Sequence, residues 1–229
     1  MRIDKISSSG PNLILNAPRP VISGHGTDQA QRKSLGETPP VVLSLDEIGK
    51  LASLFAPRGF IDRLTKRLNY LKKKKCKVIP AKGMVVCVDG QDVVYLGVDF
   101  LEAHLNDQET LAGAMSHEWG HACALRPHSD SLQELTWDEI FELRRAHETL
   151  ADEICGRLLF LMGYKTDGII RFLKKGSDTH NLKYHHPDIR AQVIRYGFES
   201  EKRKADLSKS LFKKGSYKND YDSTLLDIV

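Results

Sequence analysis

Apolar positions recur along this chain at helical spacing, broken once by a block of short β-rich runs. Phe60, Leu64, Leu68 and Leu71 share one face and predict a helix over about residues 60–71. Ser44 or Asp46 is expected to cap a helix ahead of it, running through Leu54. Lys77–Pro80, Met84–Asp89 and Asp92–Val98 read as strands, with Gly90-Gln91 turning a hairpin between the last two. Asn106 and Asp107 are good N-caps for an apolar helix over about 108–125 (Leu111, Ala112, Ala114, Met115), with no proline until Pro127. Thr136 and Glu139 form a capping box opening a helix to about Met162, which Gly163 ends. Its apolar face is Ile140, Leu143, Leu150, Ile154, Leu158 and Leu159. A short helix over 167–175 is closed by Gly176, and Pro187 opens another with Ile189, Val193 and Ile194 inward. The pattern predicts an α+β fold, mainly helical, with a small antiparallel sheet packed on the 108–125 helix.

Composition refines this picture. Residues 1–40 are rich in Ser, Gly and Pro with one apolar island, Leu13–Leu15, and predict disorder. Residues 41–200 form the expected domain, and 201–229 read as a charged, mobile or loosely docked tail. No apolar run approaches the roughly 18 residues of a membrane span. The N-terminus has no continuous apolar stretch of the kind a secretory signal peptide needs. Net charge is +4, from 34 basic and 30 acidic residues, too balanced to imply nucleic acid. Lys72–Lys75 reads as a solvated helix end or as contact for an anionic surface. Cys76, Cys87, Cys123 and Cys155 show no CxxC spacing and read as reduced thiols, hence a cytoplasmic protein. Export by a non-classical route through the N-terminal segment is the alternative.

One stretch carries chemistry: His117-Glu118-Trp119-Gly120-His121, an HExxH sequence inside the 108–125 helix. Residues four apart share a helix face, so His117 and His121 can offer ring nitrogens to one ion while Glu118 borders the same site. Two imidazoles suit one Zn2+, and the carboxylate is placed to take a proton from a water activated by the metal. A third ligand is required. The extended pattern HExxHxxGxxH fails, because Ala124 and Pro127 stand at its glycine and histidine positions and His128 is one residue out of register. Glu148 and Asp152 are four apart on a strongly apolar helix whose inner face is buried, and buried carboxylates need partners. One binds the metal and the other hydrogen-bonds a ligand histidine. Glu148 is the favoured ligand, with His147 and Glu153 as alternatives.

With these residues the chain resembles the gluzincin zinc peptidases of the HtpX and CAAX-prenyl-protease type. Those carry HExxH on one helix and Glu-x-x-x-Asp on a later one. His117, Glu118, His121, Glu148 and Asp152 match residue by residue. Weaker likeness covers Leu105–Ala112, Ala151-Asp152, Gly163-Tyr164 with Asp167, and His186-Pro187 with Arg190. The resemblance spans about residues 84–196. It implies a zincin-like fold, with Glu148 as third ligand and Asp152 orienting His117. It also implies His186, then Arg190, as donor to the oxyanion of the tetrahedral intermediate. Two features depart from the family: Trp119 stands where a smaller aliphatic residue is usual, and Arg190 and Arg195 both lie near its arginine position.

The resulting expectation is a zinc endopeptidase acting on protein or peptide substrates, with Glu118 as general base. Val93–Val98 is the expected edge strand holding an extended peptide. The rival is a zinc-stabilised scaffold whose site is closed by a fourth ligand, His128 or His147.

Overall fold

Helices carry most of the described residues, and side chains set where several of them begin and end. The computed structural model describes residues 40–89, 91–124, 135–175 and 184–216. The expected disorder of residues 1–40 therefore lies outside the described residues except at Pro40. Gly90, Gly176, His128 and the last residues of the tail lie outside them too.

Ser44 makes reciprocal bonds with Glu47 that close a turn and cap no helix: its N–H donates to Glu47 Oε2 at 2.7 Å, and Glu47 N–H donates to Ser44 Oγ at 3.3 Å. The continuous helix to Leu54 does not follow. Gly49 sits at φ +53, so the segment breaks into a 3-10 turn, Gly49–Leu51, and helix α1, Ala52–Phe55. Helix α2, Phe60–Lys72, buries Ile61, Leu64 and Leu68 and stops at Lys73, a left-handed residue at φ +52.

The sheet is mixed, not antiparallel. Its strands are β1, Val41–Val42; β2, Lys77–Lys82; β3, Val86–Val88; and β4, Val93–Gly97. Their order is β1-β2-β4-β3. β3 and β4 form the expected antiparallel hairpin, with Cys87 opposite Tyr95. β4 also pairs parallel to β2, with Val78 opposite Val94. Val94 and Leu96 are fully buried because β4 is a middle strand. The expectation that Val93–Val98 is an edge is thus corrected. Alternation marks a strand but does not reveal its neighbours. β1 and β3 are the edges, and Val98 opens helix α3, Val98–Ala103, which the pattern did not foretell.

Helix α4, Gln108–Cys123, is capped by Asp107, whose carboxylate accepts from Thr110 N at 3.1 Å. Helix α5, Trp137–Met162, opens on the Thr136–Glu139 capping box and closes on Gly163 at φ +81. Its inner face is Glu148, Ala151, Asp152, Cys155, Leu158 and Leu159, while Leu150 is 42% exposed. The buried stripe therefore carries the two carboxylates. Helix α6 is Asp167–Lys175, and helix α7 is Pro187–Ser216. Ala191 and Ile194 face the core on α7, whereas Ile189, expected inward, is 46% exposed. α7 continues past Ser200, where composition suggested a tail. Glu199–Lys202 and Glu201–Lys204 pairs at i,i+3 support it, and residues 201–210 are mostly exposed.

α5 and α7 cross where neither has room for a side chain. A Cβ on Gly156 would lie 1.9 Å from Ile194 O, and one on Gly197 would lie 2.1 Å from Glu153 O. This close crossing brings Arg190 over Asp152. Among the described residues, no helix is long and apolar enough to cross a membrane.

Candidate metal centre

His117 and His121 stand one turn apart on α4, with rings edge to face at 4.6 Å between centroids. Glu148 reaches them from α5. That reach depends on Gly120: a Cβ there would meet Ala151 Cα at 2.7 Å and Ala151 O at 2.8 Å. The second variable residue of HExxH is thus the contact that lets α4 and α5 close together. Gly120→Ala is expected to lower stability by about 1–3 kcal/mol, as overpacking does, and to weaken metal binding. Denaturant unfolding with a metal titration of the variant checks both.

Three donor atoms converge. His117 Nε2 is 3.0 Å from His121 Nε2 and 3.1 Å from Glu148 Oε2, and His121 Nε2 is 3.4 Å from Glu148 Oε1. Atoms bound tetrahedrally at roughly 2.0–2.2 Å from one ion lie about 3.3–3.6 Å apart. His117, His121 and Glu148 therefore form a cluster that can hold a metal ion. Ring nitrogens and a carboxylate crowded this closely need a cation or proton among them. A proton on His117 would meet that need. Burial opposes charge on His117, but Asp152 and Glu148 outweigh it and push the imidazole up to about 10. Burial likewise opposes charge on Glu148, yet His117 and His121 hold it well below the usual carboxylate range. A metal ion bound by these three donors would take the place of that proton.

The alternatives for the third ligand go elsewhere. Glu153 pairs with Arg157, and His147 is not in the cluster. Among the described residues no fourth His, Cys, Asp or Glu joins the group, and Cys123 is not part of it. The rival's other closing ligand, His128, lies outside the described residues.

Outer partners hold the cluster in place. His117 Nδ1 lies 2.9 Å from Asp152 Oδ1, though off the N–H axis, so this is a close electrostatic contact and not a linear hydrogen bond. Arg190 grips Asp152 bidentately, Nε to Oδ2 at 2.7 Å and Nη2 to Oδ1 at 2.9 Å. Against the effect of burial, Arg190 and His117 keep Asp152 below its ordinary range. Arg190 Nη2 also stands 3.8 Å from Glu148 Oε2. The side chains run in order from Arg190 through Asp152 to His117. This separates the two arginines: Arg190 is at the site and Arg195 is exposed.

Glu118 is buried, and burial raises its carboxyl above the ordinary value despite the two histidines. The Val88 backbone N–H donates to it, tying it to β3. Trp119 is fully buried and donates from Nε1 to Asn69 Oδ1 at 3.1 Å. Asn69 also accepts from Cys76 N and donates to Cys76 O. The large residue in the motif therefore docks α4 onto the end of α2 and the start of β2.

His117, Glu118, Asp152 and Arg190 line a cavity of about 150 Å³. Val85, Val86, Ala114, Ile169, Phe172 and Leu173 form its apolar wall, and Tyr184 completes the lining. Tyr184 lies under Arg190, its ring centroid 5.0 Å from the guanidinium carbon. His186 does not line the cavity. Its side chain is 68% exposed, and its Nδ1 accepts from Asp188 N at 3.3 Å where α7 begins. The histidine-proline pair stands at a helix start. No family model, curated protein or solved structure matches this chain.

Proposed function

We propose that this protein is a zinc-dependent endopeptidase. One observation carries the reading. Two imidazole nitrogens and a carboxylate meet at one point, and a buried carboxylate of the same HExxH turn lines the adjoining cavity. The donor set, two nitrogens and one oxygen without a fourth protein ligand among the described residues, fits a catalytic zinc site. His117, His121 and Glu148 would hold the zinc, which when bound would supply Lewis acidity for polarising a carbonyl and easing the deprotonation of water.

The residues supply the rest. Glu118 accepts the proton of the attacking water as the new C–O bond forms, then delivers it to the leaving amine as the C–N bond breaks. Its raised carboxyl suits this exchange. Asp152, clamped by Arg190, keeps the His117 ring turned with Nε2 toward the cluster.

The edge of β3 supports a peptide as substrate. Val85 O accepts from Gly97 N and Asp89 N donates to Val93 O, so those residues bond to β4. Antiparallel pairing alternates, which turns the N–H and C=O of Val86 to the open edge. Val86 also lines the cavity. An extended chain pairing there places its backbone beside Glu118, with a side chain against Ile169, Phe172 and Leu173. An edge strand beside the metal-ligand helix also supports the zincin-like reading of the fold.

The oxyanion needs a donor, and Tyr184 is better placed than His186 because it lines the cavity. Tyr184→Phe is expected to lower kcat by roughly 10²-fold with little change in KM, and His186→Ala to act near wild type. Steady-state kinetics on a short peptide measures both.

Digestion of an unstructured protein such as casein tests the whole reading. Wild type cleaves, chelator stops cleavage and zinc restores it. Zinc-loaded wild type that leaves casein intact contradicts it.

A further inference from the structure

Basic side chains are unevenly spread. Residues 58–77 hold nine of them against one acidic residue, Asp62, a net of +8. The whole chain is +4, so the remainder sums to −4. This segment runs from just before α2, through its left-handed stop at Lys73, to the first residue of β2.

Several of these cations are already engaged. Lys66 pairs with Asp62 at 2.9 Å, and Lys74 reaches Asp92 at 3.5 Å. Arg63 donates to the Arg58 carbonyl. Arg67 donates to the Leu161 carbonyl at 3.4 Å, in the last turn of α5. Lys72, Lys73, Lys75 and Lys77 are different: none makes an ion pair with a described residue. Lys73, Lys75 and Lys77 are exposed and Lys72 is half-buried. They crowd one knuckle where the helix stops and the strand begins. Tyr70, one turn earlier, is 77% exposed. α2 packs through Ile61, Leu64 and Leu68, so its own burial does not require these lysines. Four like charges within six residues, none in an ion pair with a described residue, repel one another, and an anionic partner relieves that repulsion.

We propose that this knuckle docks the protein on an anionic phospholipid surface. Among the described residues the cations of this segment with neither an ion pair nor a side-chain hydrogen bond are these four lysines and Arg58, and the lysines at the knuckle are flexible point charges suited to the diffuse field of a charged bilayer. Arg63 and Arg67, the kind of side chain that grips phosphate bidentately, are held by backbone carbonyls. A helix end with a single exposed tyrosine lacks the succession of stacking platforms that a nucleic-acid strand uses. One amphipathic aromatic ring among lysines suits headgroup depth.

Vesicle sedimentation of the full chain tests this. It compares phosphatidylcholine with phosphatidylcholine carrying about 30 mol% phosphatidylserine, at about 0.05 and 0.5 M salt. Wild type is expected to sediment with the anionic vesicles at low salt only. Joint Lys72→Glu, Lys73→Glu, Lys75→Glu and Lys77→Glu substitution is expected to lower binding more than about tenfold, with circular dichroism unchanged. Should that variant misfold, Lys73→Gln with Lys75→Gln replaces it, with a loss of about threefold or more expected. The proposal is overturned if wild type ignores anionic vesicles, if the folded variants bind as wild type does, or if a single-stranded oligonucleotide binds more tightly than the vesicles at the same salt.

Discussion

Glu118→Gln is expected to lower peptide cleavage by roughly 10²–10⁴-fold while leaving metal content unchanged. The amide matches the carboxylate in shape but cannot take a proton. Its carbonyl oxygen still accepts from the Val88 N–H, so the link between α4 and β3 survives. Glu118 is not in the metal-capable cluster, which is why the ion stays. Stability should hold or rise slightly, because burial already disfavours the charge this substitution removes. Initial rates on casein, metal analysis and a thermal melt of the same preparation separate these effects. A variant that cleaves at the wild-type rate sinks Glu118 as the base. A variant without metal shows instead that Glu118 holds the site together.

Glu148→Ala is expected to reverse that pattern: both metal and activity are lost. Glu148 supplies one of three donors and is buried against both histidines. Its removal also leaves Arg190 and His117 facing a single carboxylate, Asp152. The drop in metal affinity should exceed the roughly 10–100-fold typical of losing an outer partner, the range expected for Asp152→Asn. Zinc at about a hundred times its Kd adds about 2.7 kcal/mol to a protein that binds it only when folded. For a chain of this size that is a rise in Tm of roughly 5–10 °C. Wild type should show this rise and Glu148→Ala should not. Competition titration against a chromophoric chelator gives the affinities, and the order wild type, Asp152→Asn, Glu148→Ala is the expected ranking. Equal affinity in wild type and Glu148→Ala places the third ligand elsewhere.

Local signals were legible in the sequence, and relations between distant segments were not. Asp107, the Thr136–Glu139 box, Gly163 and Pro187 mark helix ends through interactions within a few residues, and the structure has helix boundaries at each. HExxH and Glu148 with Asp152 were readable because helical spacing alone puts each pair on one face. The partner of β4 was not readable, since the same alternation serves an edge or a middle strand. Gly49 shows how one left-handed residue can divide an otherwise helical pattern. Gly120 could be seen as a glycine but not as the point where α4 meets α5, which is a distance between helices. Tyr184 and His186 are two residues apart, and only the direction in which α7 enters decides which of them lines the cavity. The run of lysines was visible at once. That Lys74 is the member of the run with an ion-pair partner among the described residues depends on Asp92, eighteen residues on.

Native mass spectrometry of wild type and of the His117→Ala, His121→Ala double variant, each with and without added zinc, tests the central claim most directly. The expected result is one zinc per wild-type chain, removed by chelator and restored by zinc, with none retained by the double variant. Wild type that binds no zinc, or a double variant that keeps it, contradicts the assignment of this helix pair as the metal centre.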